Sequence, residues 1–405
     1  MEKKKILAIS DYAHTGIGES LRNPLIHWHE IGHEVWYLGL GYNGWYSQVQ
    51  RDVYPYADRI MPMMEQFDPN AKFGQASIVN ALKVSQADYV ITAFDVGMVR
   101  YLSEPHNDPV TSKNPEAMEM LNVRKRNFTH IGYFPLDGTT EDGLLPRHFD
   151  EIIAGMDVPV TYSHFAQQSV MRSTGLEISM IPISHDPRIF YPKNSHEARA
   201  RIGFPPHLFI IAMVGTNQSR KLWPTFFKAA ARVVRRHQDA FILPWTTWDT
   251  QINGGFDVSD LIYREDLHKQ VISPGNAVHR FRDEQMADLY SAIDVLVLTT
   301  VGEGAGLPPL RARACGTPAL VSNNTACPEF ASHDFELIRS FLTHTDNGNN
   351  IVRYGTDVDE LEAKLETLYS DRKMLRELGM NAHEHSKQFE AEVCNAEWDA
   401  LMERI

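Results

Sequence analysis

Val301 to Phe330 reads VGEGAGLPPLRARACGTPALVSNNTACPEF. Near its start, Gly302-Glu303-Gly304-Ala305-Gly306 has the composition of a turn whose backbone approaches a ligand closely, because glycine carries no Cβ to hold the ligand off. The next stretch, Pro308 to Cys315, can wind into a helix stopped by Gly316 and Pro318. A helix start offers backbone N–H groups and the positive end of a dipole, so these residue types point to phosphate binding. Glu303 is a carboxylate inside that turn and is odd for phosphate alone; something more than a phosphate is held there. A second glycine turn, Thr15-Gly16-Ile17-Gly18-Glu19, follows the first apolar run and precedes a helical pattern, which is where a βαβ unit places its ligand turn.

Other spacings carry weaker signals. His29-Glu30-Ile31-Gly32-His33 spells HExxH, the zinc-protease motif, but Gly32 interrupts the helix that the motif needs, and Gly-His followed by Glu-Val reads as a helix stop and a strand start. Asp357-Val358-Asp359 spells DxD ahead of a helical pattern, where N-capping is the natural task. Trp245 and Trp248 could stack on a sugar or base, or pack in a core.

These residues need elements to hold them. Lys4 to Ser10 is a buried-strand run. Leu21, Leu25, Trp28 and Ile31 recur at helical spacing after it, and Glu34 to Tyr42 is the next strand. Alternation continues: helix at Ser77 to Val84, strand at Ala87 to Phe94, loop and helix over Val110 to Arg126, strand from His130 running into the polar turn at Gly138, helix at Phe149 to Ala154, strand at Pro159 to His164, helix at Ala166 to Ser173, strand at Ile178 to Ser184. The Pro-rich stretch His185 to Asn194 reads as a linker. The pattern then restarts. A strand at Leu208 to Gly215 leads into the polar turn TNQSRK and a helix from Pro224 to His237. Strands follow at Ala240 to Trp245, and Val258 to Ile262 and Val271 to Ser273 continue the series. Asp283 to Ile293 is a helix, Asp294 to Thr300 a strand, and Ala319 to Ser322 another. Helices from Asp357 and over Phe389 to Ile405 close the chain. The fold class is therefore α/β with two Rossmann-like halves.

The chain has 405 residues and a net charge of −13, which disfavours generic contact with a nucleic-acid backbone. Three cysteines, Cys315, Cys327 and Cys394, show neither metal spacing nor a disulfide framework and fit a reducing, cytoplasmic setting. MEKKKILAIS holds too short an apolar run for a signal peptide, and no stretch approaches the ~20 residues of a membrane span. Peripheral membrane contact is compatible with this composition.

The run EGAGLPPLRARACGTPALVSN resembles the EGFGLPxLEAMACGTPVVAS signature of family 4 (group 1) retaining glycosyltransferases, which have the GT-B fold. DEQMADLYSAIDVLVL, Asp283 to Leu298, is similar to the helix and strand before that signature. IPISHDPRIFYP resembles the family hinge IPxGVDxxxFxP, with Asp186, Phe190 and Pro192 matching and Ser184 and His185 replacing Gly and Val. VGTNQSRKLWPTFFKAA resembles the strand–turn–helix that carries a donor-phosphate lysine, here Lys221. TGIGESLRNPLIHWHEIGHEV resembles the amino-terminal glycine loop and its helix. The matches cover most of the chain and fall in the family's order.

The resemblance implies two Rossmann-like domains facing across a cleft: residues 1–190 on the acceptor side, residues 191–385 binding a nucleotide-sugar, and residues 386–405 forming a helix that packs back on the first domain. It implies sugar transfer with retention, with no metal ion and no cofactor. The partners are a nucleotide-sugar donor and an acceptor hydroxyl of a glycan, a lipid-linked compound or a small molecule. The leaving diphosphate builds negative charge. Lys221 and Arg220 would meet it, with Asn217 in the same turn, the backbone of Gly304, Ala305, Gly306 and Leu307, and the Gly16-Ile17-Gly18 turn. Glu303 matches the family glutamate that contacts the donor sugar. Asp137 stands where many relatives place a histidine or aspartate near the reacting centre and could orient or deprotonate the acceptor hydroxyl.

One departure is large. The signature carries a second glutamate eight residues after the first, which contacts ribose; here that position is Arg311, a donor-only cation. Ribose is then held differently, or Arg311 meets a phosphate or acidic group, or the donor site is degenerate. Thr216 also stands where many relatives carry a phosphate-binding arginine. Rival readings are therefore a non-catalytic family member acting as a partner subunit, an epimerase or sugar-nucleotide hydrolase, and a transferase modifying nucleic acid. The bland alternatives are a surface Lys221 or Arg311, an Asp137 that caps a turn, and a loop histidine at His14.

Overall fold

The computed structural model describes residues 3–12, 15–42, 54–62, 73–248, 254–275, 278, 281–346 and 348–405; His14 lies outside them. Two compact units result: Met1–Ser184 with Asn347–Ile351 and Ala391–Ile405, and His185–Asp346 with Val352–Glu390.

Among the described residues, the first unit is built on seven strands: β1 (Lys5–Asp11), β2 (Glu34–Leu40), β3 (Ile60–Pro62), β4 (Tyr89–Ala93), β5 (Thr129–Phe134), β6 (Val158–Thr161) and β7 (Ser179–Met180). Their order is β3-β2-β1-β4-β5-β6-β7, and every pair is parallel. Ile6 to Ile9 and all of β4 are buried, as befits strands covered by helices on both faces. The expected strand over Ile178 to Ser184 shrinks to two residues, since Pro182 has no N–H for the ladder. The terminal helix Ala391–Arg404 docks in this unit. Trp398 meets Trp28 edge-on at 5.6 Å and Tyr133 at 4.9 Å. Asp399 accepts from the Trp28 indole at 3.1 Å and lies 2.8 Å from His27.

The second unit has five parallel strands, β8 (Phe209–Val214), β9 (Ala240–Trp245), β10 (Val295–Leu298), β11 (Ala319–Ser322) and β12 (Leu337–Ile338), in the order β12-β11-β10-β8-β9. A separate antiparallel hairpin pairs β13 (Ser340–Thr345) with β14 (Val352–Thr356). All six residues of β8 are buried. Val258–Arg264 is a helix, which corrects the expected strand: Asp257 caps it by accepting the N–H of Asp260, and Val258 and Ile262, one helical turn apart, are its buried residues. Helices Ser195–Ile202 and Arg372–Ser386 had no apolar run to announce them. Gly379 on the latter packs so closely that a Cβ would collide with the carbonyl oxygen of Gly316.

In a doubly wound sheet, ligands sit beyond the carboxyl ends of the strands where the winding reverses. In the second unit the reversal falls between β8 and β10, which are hydrogen-bonded neighbours although a whole strand, β9, separates them in sequence.

Candidate functional site at the ends of β8 and β10

Arg220 and Lys221 follow β8, and Glu303 follows β10. The β8–β10 pairing brings Arg220 and Lys221 to Glu303 from 83 and 82 positions apart. Lys221 and Arg220 both donate to Oε2 of Glu303, Arg220 at 3.1 Å. Glu303 and Lys221 are buried, at 8% and 6% exposure, whereas Arg220 is about one-third exposed. Among the described residues, Oε1 of Glu303 has no hydrogen-bond partner.

The charges follow from this geometry. Burial pushes the Glu303 carboxyl up, but the Arg220 and Lys221 cations outweigh it and hold the group down at about 2. Burial, together with Arg220, draws the Lys221 ammonium below its ordinary value against the opposing pull of Glu303. Two cations thus share one carboxylate, and the cluster keeps one net positive charge.

Hydroxyl groups fix both loops. Thr299 donates to the carbonyls of Lys221 and Leu222, each at 3.1 Å. This holds Leu222 in the left-handed conformation, φ +46°, immediately before the helix Trp223–Val234. The N–H of Val301 donates to the Arg220 carbonyl at 2.9 Å, tying one loop to the other. Thr325 accepts from the N–H of Glu303 and donates to its carbonyl.

The glycine turn then enters the helix Leu307–Ala314 through Gly306, φ +94°, a conformation that favours glycine. Pro308 and Pro309 carry no N–H, so the first helical turn has fewer donors than a helix start ordinarily presents. Donors near Glu303 therefore come from the turn Gly304 to Leu307.

Other site residues from the sequence take different places. Asn217 is fully buried. Its amide donates to the carbonyls of Phe256 and Thr247 at 2.8 and 3.2 Å and accepts the N–H of Phe256 at 2.8 Å. It fastens the segment after β9 to the turn after β8. Arg311 lies with its guanidinium 4.5 Å from the centre of the Phe190 ring and 3.9 Å from Asp283. Trp245 packs against Phe281 at 4.7 Å, and Trp248 lies against the core.

Gly16, Ile17, Gly18 and Asp137 belong to the first unit. Gly16 to Ser20 form a short helix rather than the expected tight turn. Thr15 is its cap, accepting the N–H of Gly18 at 3.0 Å and donating to Asp11 at 2.8 Å. This helix follows β1 and Asp137 follows β5, so both stand at the carboxyl edge of one sheet with β4 between their strands. HExxH does not form a metal-binding face: the helix Arg22–Glu30 ends first, Gly32 has φ +102°, and Nδ1 of His33 accepts the N–H of Lys4 at 3.0 Å. Asp357 caps the helix Val358–Ser370 through the N–H groups of Asp359 and Glu360.

Sequence reading missed Thr299, Thr325 and the pair Arg313–Glu336. Arg313 Nε lies 3.2 Å from Oε2 of Glu336, and both side chains are almost wholly buried. A basic residue on an apolar helix face was the available signal for Arg313.

Residues 194–385 match the family model described as Glycosyl transferases group 1. A D-inositol 3-phosphate glycosyltransferase from Streptomyces bingchenggensis is 26% identical over 253 residues, 59% of this chain and 51% of that protein. One from Corynebacterium kroppenstedtii is 25% identical over 249 residues, 60% and 45% of the two chains. The chain thus spans about half the length of these relatives. Among solved structures, sucrose-phosphate synthase from Thermosynechococcus elongatus superposes with a TM-score of 0.72 at 18% identity, over 99% of both chains. Anabaena Alr3699/HepE, solved with UDP and glucose, has a TM-score of 0.73 at 13% identity, over 99% of this chain and 100% of that one. Among the described residues, no helix is long and apolar enough to cross a membrane.

Proposed function

We propose, for a chain whose residues 194–385 belong to the glycosyl transferases group 1 family and whose fold is GT-B, that it moves a sugar from a nucleotide-sugar donor to an acceptor hydroxyl. The transfer retains the anomeric configuration and uses no metal ion. The observation that carries this reading is the convergence of Arg220, Lys221 and Glu303 at the winding reversal of the second unit.

A departing diphosphate develops negative charge, and fixed cations aimed at that charge lower the barrier. Lys221 and Arg220 stabilise the leaving phosphates, with the backbone of Gly304 to Leu307 alongside. Glu303 orients the sugar: in the free protein the cations hold Oε2, and Oε1 accepts from a hydroxyl of the bound sugar. Asn217 acts by positioning, through its bonds to Phe256 and Thr247. Asp137 serves the acceptor hydroxyl in the first unit, with the Gly16–Gly18 segment on the same sheet edge. Arg311, beside Asp283 and Phe190, shapes the nucleotide end in place of a carboxylate. A degenerate, non-catalytic member would have no need of an intact charged cluster, and its presence favours the enzyme. The relatives named for D-inositol 3-phosphate make a cyclic polyol phosphate the first acceptor to try. The three cysteines are unpaired and buried, in keeping with a cytoplasmic enzyme.

Thermal unfolding with UDP-, GDP-, ADP- and CMP-sugars tests the reading. One donor class raises the midpoint of the wild type, since a ligand bound only by the folded state stabilises it by mass action. Lys221→Ala abolishes that rise. A wild type indifferent to every donor, or a Lys221→Ala protein that responds normally, overturns it.

A further inference from the structure

We propose that Glu303 makes the site discriminate between an intact nucleotide-sugar and the nucleoside diphosphate left after transfer; this rests on the donor-site reading above. A buried carboxylate must be compensated by charge or by hydrogen bonds. Without ligand, Lys221 and Arg220 supply that compensation, and both act on the single oxygen Oε2.

A diphosphate needs the same two cations. A bare diphosphate that takes them leaves Glu303 buried and under-compensated. The two anions therefore compete. An attached sugar changes the balance, because its hydroxyls donate to Oε1, which has no partner among the described residues. Glu303 is then satisfied by the substrate, and the cations turn to the phosphates. Once the sugar has gone, Glu303 draws Lys221 back and the diphosphate is loosened. The carboxylate that orients the donor also expels the product.

Thr325 keeps this exchange local. Its hydroxyl pins the backbone of Glu303 from both sides of the peptide, at 2.9 Å each way, so the side chain changes partners while its Cα stays in place.

Calorimetric titration of UDP with UDP-glucose, GDP with GDP-mannose and ADP with ADP-glucose tests the idea on the full chain. Wild type is expected to bind the sugar-bearing member of its preferred pair more tightly than the bare diphosphate. Glu303→Gln keeps the shape and removes the competing charge. It is expected to bind the bare diphosphate about tenfold more tightly and the nucleotide-sugar no better, so the preference collapses. A Glu303→Gln protein whose diphosphate affinity is unchanged or weaker overturns the proposal. Should that variant fail to fold with Lys221 left buried and charged, Lys221→Met with Glu303→Gln removes both charges together. With the repelling carboxylate gone as well as Lys221, this double variant is expected to bind the two members of the pair weakly and alike through Arg220, and a preserved wild-type preference overturns the proposal. A wild type that binds no member of any pair refutes the donor-site reading itself, which is a different result.

Discussion

The hydroxyl of Thr325 accepts the N–H of Glu303 at 2.9 Å and returns its own hydrogen to the carbonyl of the same residue at 2.9 Å. Thr325 does this with φ +47°, a left-handed conformation that costs a β-branched residue of order 1–3 kcal/mol. The surrounding structure sustains that cost, and Glu303 is the residue it serves.

Thr325→Ala is expected to lose donor binding by roughly tenfold, because the Glu303 backbone loses both bonds at once, and to lower stability by about 1–3 kcal/mol. Thr325→Ser keeps the hydroxyl and is expected to hold near wild-type affinity. Titration of the preferred donor into the three proteins decides it: an alanine variant that binds like wild type shows the clamp to be idle.

The Arg313–Glu336 pair predicts an uneven pattern of damage. Glu336 also accepts the N–H groups of Ala319 and Ser332, at 3.3 and 2.8 Å, and Arg313 donates to the Ala319 carbonyl at 3.0 Å. Arg313→Met strands a buried carboxylate and is expected to cost about 3–5 kcal/mol in urea unfolding. Arg313→Met with Glu336→Gln removes the stranded charge and leaves an amide oxygen to accept the N–H groups. The double variant is therefore expected to be more stable than Arg313→Met alone. A double variant that is no more stable shows that the buried charge is not the source of the loss.

Acid should weaken the first unit through His130. Burial, helped by Arg126, draws this imidazole down to about 3 from 6.5, and its Nε2 lies 3.0 Å from the Thr92 hydroxyl. The folded value lies below the unfolded one, so between them the unfolded chain binds a proton that the folded chain refuses. Stability therefore falls as pH falls below about 6.5, by up to roughly 1.4 kcal/mol per pH unit, until about pH 3. In the second unit His185, drawn down to about 4 by burial, adds to the trend. His130→Gln is expected to flatten the dependence between about pH 6 and about pH 4. An unchanged slope in that variant removes His130 as its source.

Much of the architecture was legible because parallel strands buried on both faces read as unbroken apolar runs. Lys5–Asp11, Tyr89–Ala93, Phe209–Val214 and Val295–Leu298 all announce themselves in this way. Caps were legible for a similar local reason: Asp357 ahead of an apolar-periodic stretch could do little but close a helix start. Reading failed where local patterns were ambiguous. Val258–Arg264 has too few apolar positions to separate a one-sided helix from a strand. Gly16 and Gly18 suit a turn and a helix start alike, and the hydroxyl of Thr15 settled the matter.

The types of the working residues were present in the sequence: a lysine and an arginine after one buried strand, a glutamate in a glycine turn after another. Their meeting was not. Burial and periodicity are local properties, written residue by residue, whereas Lys221 reaches Glu303 only because β10 pairs with β8 and β9 stands on the far side of β8. The same holds for Arg311, whose neighbour Asp283 is supplied by another helix, and for Thr325, which reaches Glu303 from the loop after the adjacent strand β11. Strand order decides which carboxyl ends are neighbours. A sequence records the strands, but the packing of the whole sheet sets their order.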